Sequence, residues 1–145
     1  AVIPGGSSAK ILKFGETFTL KNKDGSTRTL TVEDIPMDFD TLAACGTMGG
    51  SGGVIVMDDS VNMVEALANI NEFYAHESCG QCTPCRVGTQ KAALLMQQPV
   101  WNRALLDELS QAMRDASICG LGQAASNPLA TVIKYFPDEF KEAAE

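Results

Sequence analysis

The sequence predicts an α+β fold in which a small unit of strands and one short helix precedes a bundle of four helices. Alternating polar and apolar residues mark strands in the first third of the chain, and apolar residues at helical spacing begin near residue 60. The pattern changes without a long linker, so we divide the chain into domains at residues 1–58 and 59–145. With 145 residues, 45% of them hydrophobic, the chain is long enough to form a real core.

The N-terminal unit is predicted to contain a β-hairpin. The stretches Glu16 to Leu20 and Thr27 to Val32 alternate polar and apolar residues, as half-buried strands do. Between them, the pair Asp24-Gly25 suits a turn whose residues need positive φ. The other elements predicted in this unit are a short helix begun by Asp38 or Asp40 and a strand from Val54 to Met57.

Four helices are predicted in the second unit from apolar spacing and from capping residues. The first opens with Asp59 or Ser60 as its N-cap, and the last opens with Asn127 as N-cap and Pro128 at the first helical position. The second helix is expected to direct Val87, Leu94 and Leu95 into the core, and the predicted ranges are Ser60 to His76, Pro84 to Gln98, Trp101 to Ser117 and Asn127 to Phe136.

Charge and hydropathy exclude two classes of partner. The formal net charge of −7 and the pI near 4.6 disfavour nucleic-acid binding, because an acidic background repels phosphate. No apolar run approaches the roughly 20 residues needed to span a bilayer, so direct membrane insertion is not expected. The N-terminus also lacks the basic and apolar regions of a signal peptide. These features predict a soluble protein that is not exported.

Five cysteines suggest bound metal rather than disulfides. Cys79, Cys82 and Cys85 form a trio at intervals of three, Cys119 follows 34 residues later, and Cys45 stands apart. A secreted disulfide scaffold normally has an even number of cysteines in a short, loop-rich chain, whereas this trio lies in helix-rich sequence. Ligation of a metal or cluster is therefore the better interpretation. We expect Cys45 to pack as a small buried residue, because free cysteine behaves as a hydrophobe.

A C-x-x-C-x-x-C trio with one remote cysteine is a recurrent ligand pattern for a 4Fe-4S cluster. Cys119 is the candidate for the fourth ligand, because the glycines that follow it let the chain come close. Zinc is the competing interpretation, although structural zinc sites favour two separate C-x-x-C pairs, and His76 could then replace one sulfur. The alternative function is thus a zinc-stapled interaction module. The predicted ligands are Cys79, Cys82, Cys85 and Cys119, and no catalytic side chain is required.

The glycine-rich stretch at residues 46–53 does not predict a nucleotide site. A dinucleotide-binding loop follows a strand and opens a helix, whereas these glycines precede the strand that begins at Val54. The sequence also lacks the lysine of a phosphate-binding loop. A complete NADH site is therefore not expected within this chain.

Five motifs resemble one known family. They are PGGSS at 4–8, MDFDTL at 37–42, GSGGVIVMD at 50–58, ESCGQCTPCRVG at 77–88 and ICGLGQAASNP at 118–128. Together they resemble the C-terminal region of the NADH-binding flavoprotein subunit of respiratory complex I. Related subunits of NAD-reducing hydrogenase and NAD-dependent formate dehydrogenase carry a similar region. The resemblance extends across nearly the whole chain.

The resemblance implies a partial soluble-ligand-binding β-grasp domain at 1–58 and a helical 4Fe-4S domain at 59–145. It implies an electron relay between FMN and the next iron-sulfur cluster, within an NAD(P)H-dependent oxidoreductase. FMN and NAD(H) would bind a missing N-terminal part or a partner chain, because the family's flavin region has no counterpart here. The implied partners are the other subunits, including a flavin- and NADH-binding portion and a further iron-sulfur subunit. The implied location is the cytoplasm, the cytoplasmic face of the inner membrane or the mitochondrial matrix.

Overall fold

The computed structural model describes residues 1–22 and 24–141, and it divides the chain into two units, Ala1–Ser60 and Val61–Glu145. Positions 142–145 of the predicted second domain lie outside the described residues. The first unit holds the strands that the described residues form, and the second unit is helical. The prediction of an α+β fold is therefore confirmed at this level.

Two small antiparallel sheets form the first unit. Strand β1 pairs with strand β4 through Val2 opposite Val56, and strand β2 pairs with strand β3 through Thr17 opposite Thr31. A short helix, α1, lies in sequence between β3 and β4. The bounds are β1 (Val2–Ile3), β2 (Thr17–Lys21), β3 (Thr27–Thr31), α1 (Phe39–Ala44) and β4 (Ile55–Val56).

The predicted hairpin is present as β2 and β3. Its turn contains Gly25 at a φ of +86°, a left-handed conformation that glycine adopts without a Cβ clash. The Asp24 carboxylate accepts a hydrogen bond of 2.9 Å from the Ser26 amide and so closes the turn. Asp24 and Gly25 therefore form the turn that their sequence predicts.

Asp38, rather than Asp40, is the N-cap of α1. Its carboxylate accepts a hydrogen bond of 2.7 Å from the Thr41 amide, which would otherwise lack a partner at the helix start. The apolar side of α1 packs in the core of this unit through Leu42, and Cys45 is buried there as well. The buried residues of this core are Leu12, Leu20, Val32, Ile35, Leu42 and Cys45.

The described residues of the second unit form five α-helices and a 3-10 turn at Pro137–Glu139. Helices α2 and α4 both pack on α3, the short helix α5 contacts α3 and α4, and α6 packs on α2. Four of the five correspond to the predicted helices, whereas α5 was not predicted. Their bounds are α2 (Met63–Glu77), α3 (Thr83–Met96), α4 (Arg103–Ala116), α5 (Gly120–Ala124) and α6 (Asn127–Tyr135).

Helix α2 begins two or three residues later than expected from the predicted caps, Asp59 or Ser60. Its N-cap is Asn62, whose side chain accepts a hydrogen bond of 2.9 Å from the Glu65 amide. Ser60 instead donates its hydroxyl and amide to the Asp58 carboxylate in a separate turn. A further amide of the first helical turn, that of Met63, is bound by a Glu139 carboxylate oxygen at 2.7 Å. The start of α2 therefore depends on side chains from both ends of this unit.

The buried side of α3 also differs from the expectation. Val87 and Leu94 were expected to be buried but are 40% and 61% exposed. Cys85 points inward, and the buried residues of α3 follow it at three- and four-residue intervals, so Val87 and Leu94 lie on the other side of the helix. One of these is Gly88, where a Cβ would lie only 2.6 Å from Met113 Cγ in α4. Small residues thus let the two helices approach closely. The residues that α3 buries are Cys85, Gly88, Thr89, Ala92, Ala93 and Met96, with Leu95 partly buried.

The single tryptophan, Trp101, anchors the segment between α3 and α4. Its indole Nε1 donates a hydrogen bond of 3.1 Å to the Met96 carbonyl, and its ring stacks on Phe140 with 4.9 Å between centroids. Its amide donates to the Lys141 carbonyl at 2.8 Å. These contacts hold the last described residues against the helices. Among the described helices, none combines the length and apolar character that crossing a membrane requires.

Candidate metal centre

All four predicted ligand cysteines line one cavity of about 190 Å³ in the second unit. Cys79 lies in the loop after α2, and Cys82 is the N-cap of α3. Cys85 lies in the first turn of α3, and Cys119 is the N-cap of α5. The residues around the cavity are Glu77, Ser78, Cys79, Gln81, Cys82, Cys85, Ile118, Cys119 and Leu121.

The start of α3 provides an electropositive setting for the thiols. The first amides of a helix have no partner within it and together form the positive end of its dipole. Pro84 occupies the first turn, where its missing N–H costs no helical hydrogen bond. Thr89 donates its hydroxyl to the Cys85 carbonyl at 2.7 Å, which secures the backbone of this turn. Thiolates are stabilised in such a position.

The environments of the ligand thiols differ. The backbone amide of Ile118, and to a lesser degree that of Cys85, donates to the Cys82 sulfur and lowers the pKa of that thiol. Burial raises the pKa of the Cys85 thiol, although a hydrogen bond from Ser78 opposes the shift. Negative charge on Cys82, Cys119 and Cys79 would raise it further. The four thiols are therefore close enough to interact, and a cationic guest would relieve their mutual repulsion.

The loop that carries Cys79 is held by two side chains, those of Arg86 and Ser78. Gly80 has a φ of +77°, which reverses the chain between the first two cysteines. Arg86 in α3 donates from Nη1 to the Gly80 carbonyl at 2.5 Å and from Nη2 to Thr83 Oγ1 at 3.4 Å. The Gly80 amide donates to Ser78 Oγ at 3.4 Å, and the same oxygen lies 3.3 Å from Cys85 Sγ. Arg86 and Ser78 therefore tie this loop to the start of α3.

The segment that carries Cys119 has its own supports. Gln123 donates from Nε2 to the Ser117 carbonyl at 2.9 Å, and its amide donates to the Cys119 carbonyl at 3.3 Å. Gly122 lies so close to Ser117 and Cys85 that a Cβ at this position would be 2.3 Å from Ser117 Oγ. Sequence reasoning missed Ser78, Ser117 and Gly122, because their contacts with the cysteines arise only when the helices pack.

Two other sequence candidates do not line the cavity. His76 lies in the last turn of α2 with its side chain 88% exposed, and its Nδ1 is 3.3 Å from a Glu77 carboxylate oxygen. Cys45 belongs to the core of the first unit, where burial raises the pKa of its thiol. Within the parts of the chain that the structure describes, no group of three or more His, Cys, Asp or Glu side chains is arranged to hold a single metal ion, and this includes the four cysteines of the cavity.

The cavity suits a guest larger than one ion. A single zinc ion bonds four thiolates at about 2.3 Å and so draws them close together around one atom. The cavity of about 190 Å³ is several times the volume of roughly 30 Å³ that a water molecule occupies in the liquid. Four soft thiols around such a space match the ligand chemistry of an iron-sulfur cluster. The residues present therefore fit that group.

Fold and site define this chain as an α+β protein whose helical unit carries a cavity surrounded by four cysteines. Residues 65–143 match the family described as the NADH-ubiquinone oxidoreductase-F iron-sulfur binding region, whose label specifies a 4Fe-4S cluster. The match covers more than half of the chain, and the chain belongs to this family. The predicted resemblance and the predicted 4Fe-4S cofactor are thereby confirmed at the level of the family.

Similar proteins support the same assignment. The NADH-quinone oxidoreductase F subunit of Rickettsia bellii is 40% identical in an alignment of 147 positions that covers 97% of this chain and 32% of that protein. The protein of the same name in Rickettsia felis is 38% identical over 98% of this chain and 31% of its own length. This chain therefore spans about a third of the curated relatives it matches. Both relatives are named as subunits of an oxidoreductase.

A solved structure gives the same result. The crystal structure of an NAD+-reducing [NiFe]-hydrogenase in the H2-reduced state matches with a TM-score of 0.68 and 31% sequence identity. The match covers 96% of this chain and 22% of the hydrogenase chain. The air-oxidized state of such a hydrogenase matches with the same TM-score and 30% identity. The similarity extends over both units of the chain.

Proposed function

We propose that this chain holds one 4Fe-4S cluster through Cys79, Cys82, Cys85 and Cys119 and relays single electrons between FMN and the next iron-sulfur cluster. The convergence of these four thiols on one cavity is the observation that carries the proposal. In this view, residues 59–145 form a four-helix bundle with one added short helix around the cluster. Residues 1–58 form a partial soluble-ligand-binding β-grasp domain.

The chemistry of the site favours electron transfer. A 4Fe-4S cluster changes its charge by one electron, whereas a flavin accepts the two electrons of a hydride. The side chains of this site bind and shield, and none needs to act as a general acid, base or nucleophile. Helix α3 presents amide donors to the thiolates, and Ser78 and Arg86 hold the loop between the first ligands. Such fixed donors stabilise negative charge without rearranging when an electron arrives.

The exposure of the ligands also suits a relay. Cys85 is buried, whereas Cys79 and Cys119 are exposed together with Gln81 and Ile118. A cluster in this cavity would therefore have one edge near the surface of the unit. Electron tunnelling becomes slower as distance increases, so a redox partner could exchange electrons through that edge.

The partners follow from the family. The relatives are named as subunits of NADH-quinone oxidoreductase, and the matched crystal structure is of an NAD+-reducing hydrogenase. We therefore place FMN and NAD(H) on a different part of the polypeptide or on a partner chain, and the next cluster on a further iron-sulfur subunit. The assembly would work in the cytoplasm, at the cytoplasmic face of the inner membrane or in the mitochondrial matrix.

Serine substitution of each ligand tests the proposal in the full-length protein purified without oxygen. We expect iron and acid-labile sulfide per chain to fall in Cys79→Ser, Cys82→Ser, Cys85→Ser and Cys119→Ser. The matched control is Cys45→Ala, because Cys45 is a buried cysteine outside the site and should not affect the iron content. Full retention of iron in Cys119→Ser would refute the ligand set. Zinc without iron or sulfide in the unaltered protein would instead support a zinc-stapled module.

A further inference from the structure

Ser117, directly after α4, has a buried hydroxyl that its backbone contacts do not explain. The residue is only 5% exposed. Its amide donates to the Met113 carbonyl at 3.1 Å, and its carbonyl accepts from Gln123 Nε2 at 2.9 Å. Within the described part of the chain, the Ser117 hydroxyl oxygen has no hydrogen-bond partner. Buried polar groups in proteins are nearly always hydrogen-bonded, so this hydroxyl needs a partner of another kind.

The position of the hydroxyl relates it to the ligands. A Cβ built on Gly122 would lie 2.3 Å from Ser117 Oγ and 2.8 Å from Cys85 Cβ, so the hydroxyl lies beside that ligand cysteine. The hydroxyl also lies near the Cys82 side chain, in a contact that falls short of a hydrogen bond. Ser117 Oγ therefore lies close to two of the four predicted ligands, Cys85 and Cys82.

Ser78 differs from Ser117 in this respect. Its Oγ accepts from the Gly80 amide and is 3.3 Å from Cys85 Sγ, so both its donor and its acceptor functions have partners. Ser117 is more deeply buried than Ser78 but lacks such partners among the described residues. The chain thus places a second hydroxyl beside the predicted ligands, and no hydrogen-bond acceptor among the described residues takes its proton.

We propose that the Ser117 hydroxyl donates a hydrogen bond to a sulfur atom of the bound cluster and raises the reduction potential of that cluster. This inference rests on the proposed function. One-electron reduction adds negative charge to the cluster sulfurs and breaks no bond. A donor aimed at those sulfurs stabilises the reduced state more than the oxidised state. Ser117 is therefore a positioning residue that acts on the potential and takes no part in ligation.

The test is a redox titration, followed by electron paramagnetic resonance, of Ser117→Ala in the full-length protein. At a fixed ambient potential we expect the ratio of reduced to oxidised cluster to fall by about twofold to tenfold, as for loss of one hydrogen bond. A tenfold change corresponds to a shift of about 59 mV toward more negative potential for a one-electron couple. Iron and sulfide per chain are counted first, so that loss of the cluster is distinguished from a change in potential.

The matched control is Ser110→Ala. Ser110 is also a buried serine near the C-terminal half of α4, but its hydroxyl donates to the Leu106 carbonyl at 2.7 Å. We expect this variant to keep the potential of the unaltered protein. If Ser117→Ala retains its cluster and its potential does not change, the inference is refuted while the proposed function stands. If the unaltered protein contains no iron or sulfide, the proposed function itself fails.

A third variant covers the case in which Ser117→Ala does not retain the cluster. Ser117→Thr keeps the hydroxyl and adds one methyl group. Recovery of the cluster, at the potential of the unaltered protein, supports a role for the hydroxyl. Loss of the cluster in both variants, with Ser110→Ala intact, shows that Ser117 acts only through its size and refutes the inference.

Discussion

Gly122 is the residue at which one added methyl group should disturb both the helix packing and the ligand set. It lies buried in the middle of α5. A Cβ at this position would be 2.3 Å from Ser117 Oγ, 2.6 Å from Ser117 Cβ and 2.8 Å from Cys85 Cβ, whereas real Cβ contacts essentially never fall below 3.0 Å. The two Cβ atoms cannot rotate away, because each is attached directly to its backbone. In Gly122→Ala, α5 must therefore move relative to α3.

The expected magnitude follows from two opposing effects. Alanine is favoured over glycine within a helix by about 1 kcal/mol, which would stabilise the variant if space were available. Overpacking of a close-packed site costs about 1–3 kcal/mol, and contacts with two backbone-anchored atoms place this site at the upper end of that range. We expect a net loss of about 1–2 kcal/mol in the free energy of unfolding. In a unit of this size, each kcal/mol of lost stability lowers the melting temperature by about 4–8 °C.

Gly120→Ala is the matched control in the same helix. A Cβ at Gly120 meets no atom within 4 Å, so this variant should keep its stability and its cluster. Thermal unfolding followed by circular dichroism measures stability, and iron and acid-labile sulfide per chain measure the site. The reasoning is refuted if Gly122→Ala melts no lower than Gly120→Ala and carries as much iron.

Two further predictions concern cluster removal and pH. Removing iron with a chelator should loosen α3 and α4, because the proposed cluster would join Cys85 to Cys119 across these helices. Such a link restricts the unfolded chain and would stabilise the fold by about 3–4 kcal/mol. Hydrogen exchange should show less protection in both helices and unchanged protection in the β2–β3 hairpin, and full protection of both helices after iron loss would contradict the prediction. The Thr41 amide and, to a lesser degree, the Thr41 hydroxyl donate hydrogen bonds that lower the pKa of Asp38 below 3.8 in the folded state. The Asp38 carboxylate therefore stabilises the fold above pH 3.8, and this stabilisation is lost as the pH falls through the lower pKa of the folded state. The protection factor of the Thr41 amide, which compares its exchange rate with the intrinsic rate at the same pH, should therefore fall in acid in the unaltered protein but not in Asp38→Asn. An equal acid dependence of the protection factor in both proteins would disprove the role of the carboxylate.

Local signals predicted the elements that local interactions determine. The Asp24-Gly25 turn closes through its own side chains, so the hairpin could be located from sequence. The start of α2 could not be located from sequence, because two other residues near Asn62 were equally plausible N-caps. In addition, the Met63 amide is bound by the carboxylate of Glu139, which is 76 residues away in the sequence. Helix α5 was missed because five residues with two glycines show no helical periodicity.

The ligand set was predictable to a different extent from its surroundings. The spacing of the cysteines is typical of residues that bind the same iron-sulfur cluster, so the sequence alone indicates that they share one site. The prediction of which side of α3 is buried was wrong because it gave more weight to apolar residues than to Cys85, which determines the orientation of the helix. The role of Ser117 depends on the close approach of Gly122, and no sequence pattern records that approach.

Trp101 provides a natural optical probe of this protein. It is the single tryptophan among 145 residues, and its ring is shielded by Phe140 and held by the Met96 carbonyl. Excitation at wavelengths that tyrosine does not absorb would therefore report on the helical unit alone, without a label. Because Phe140 lies near the end of the described chain, removing C-terminal residues one at a time should leave Trp101 emission unchanged until Phe140 is lost. The emission should then shift to the red, because the Trp101 ring becomes exposed to water.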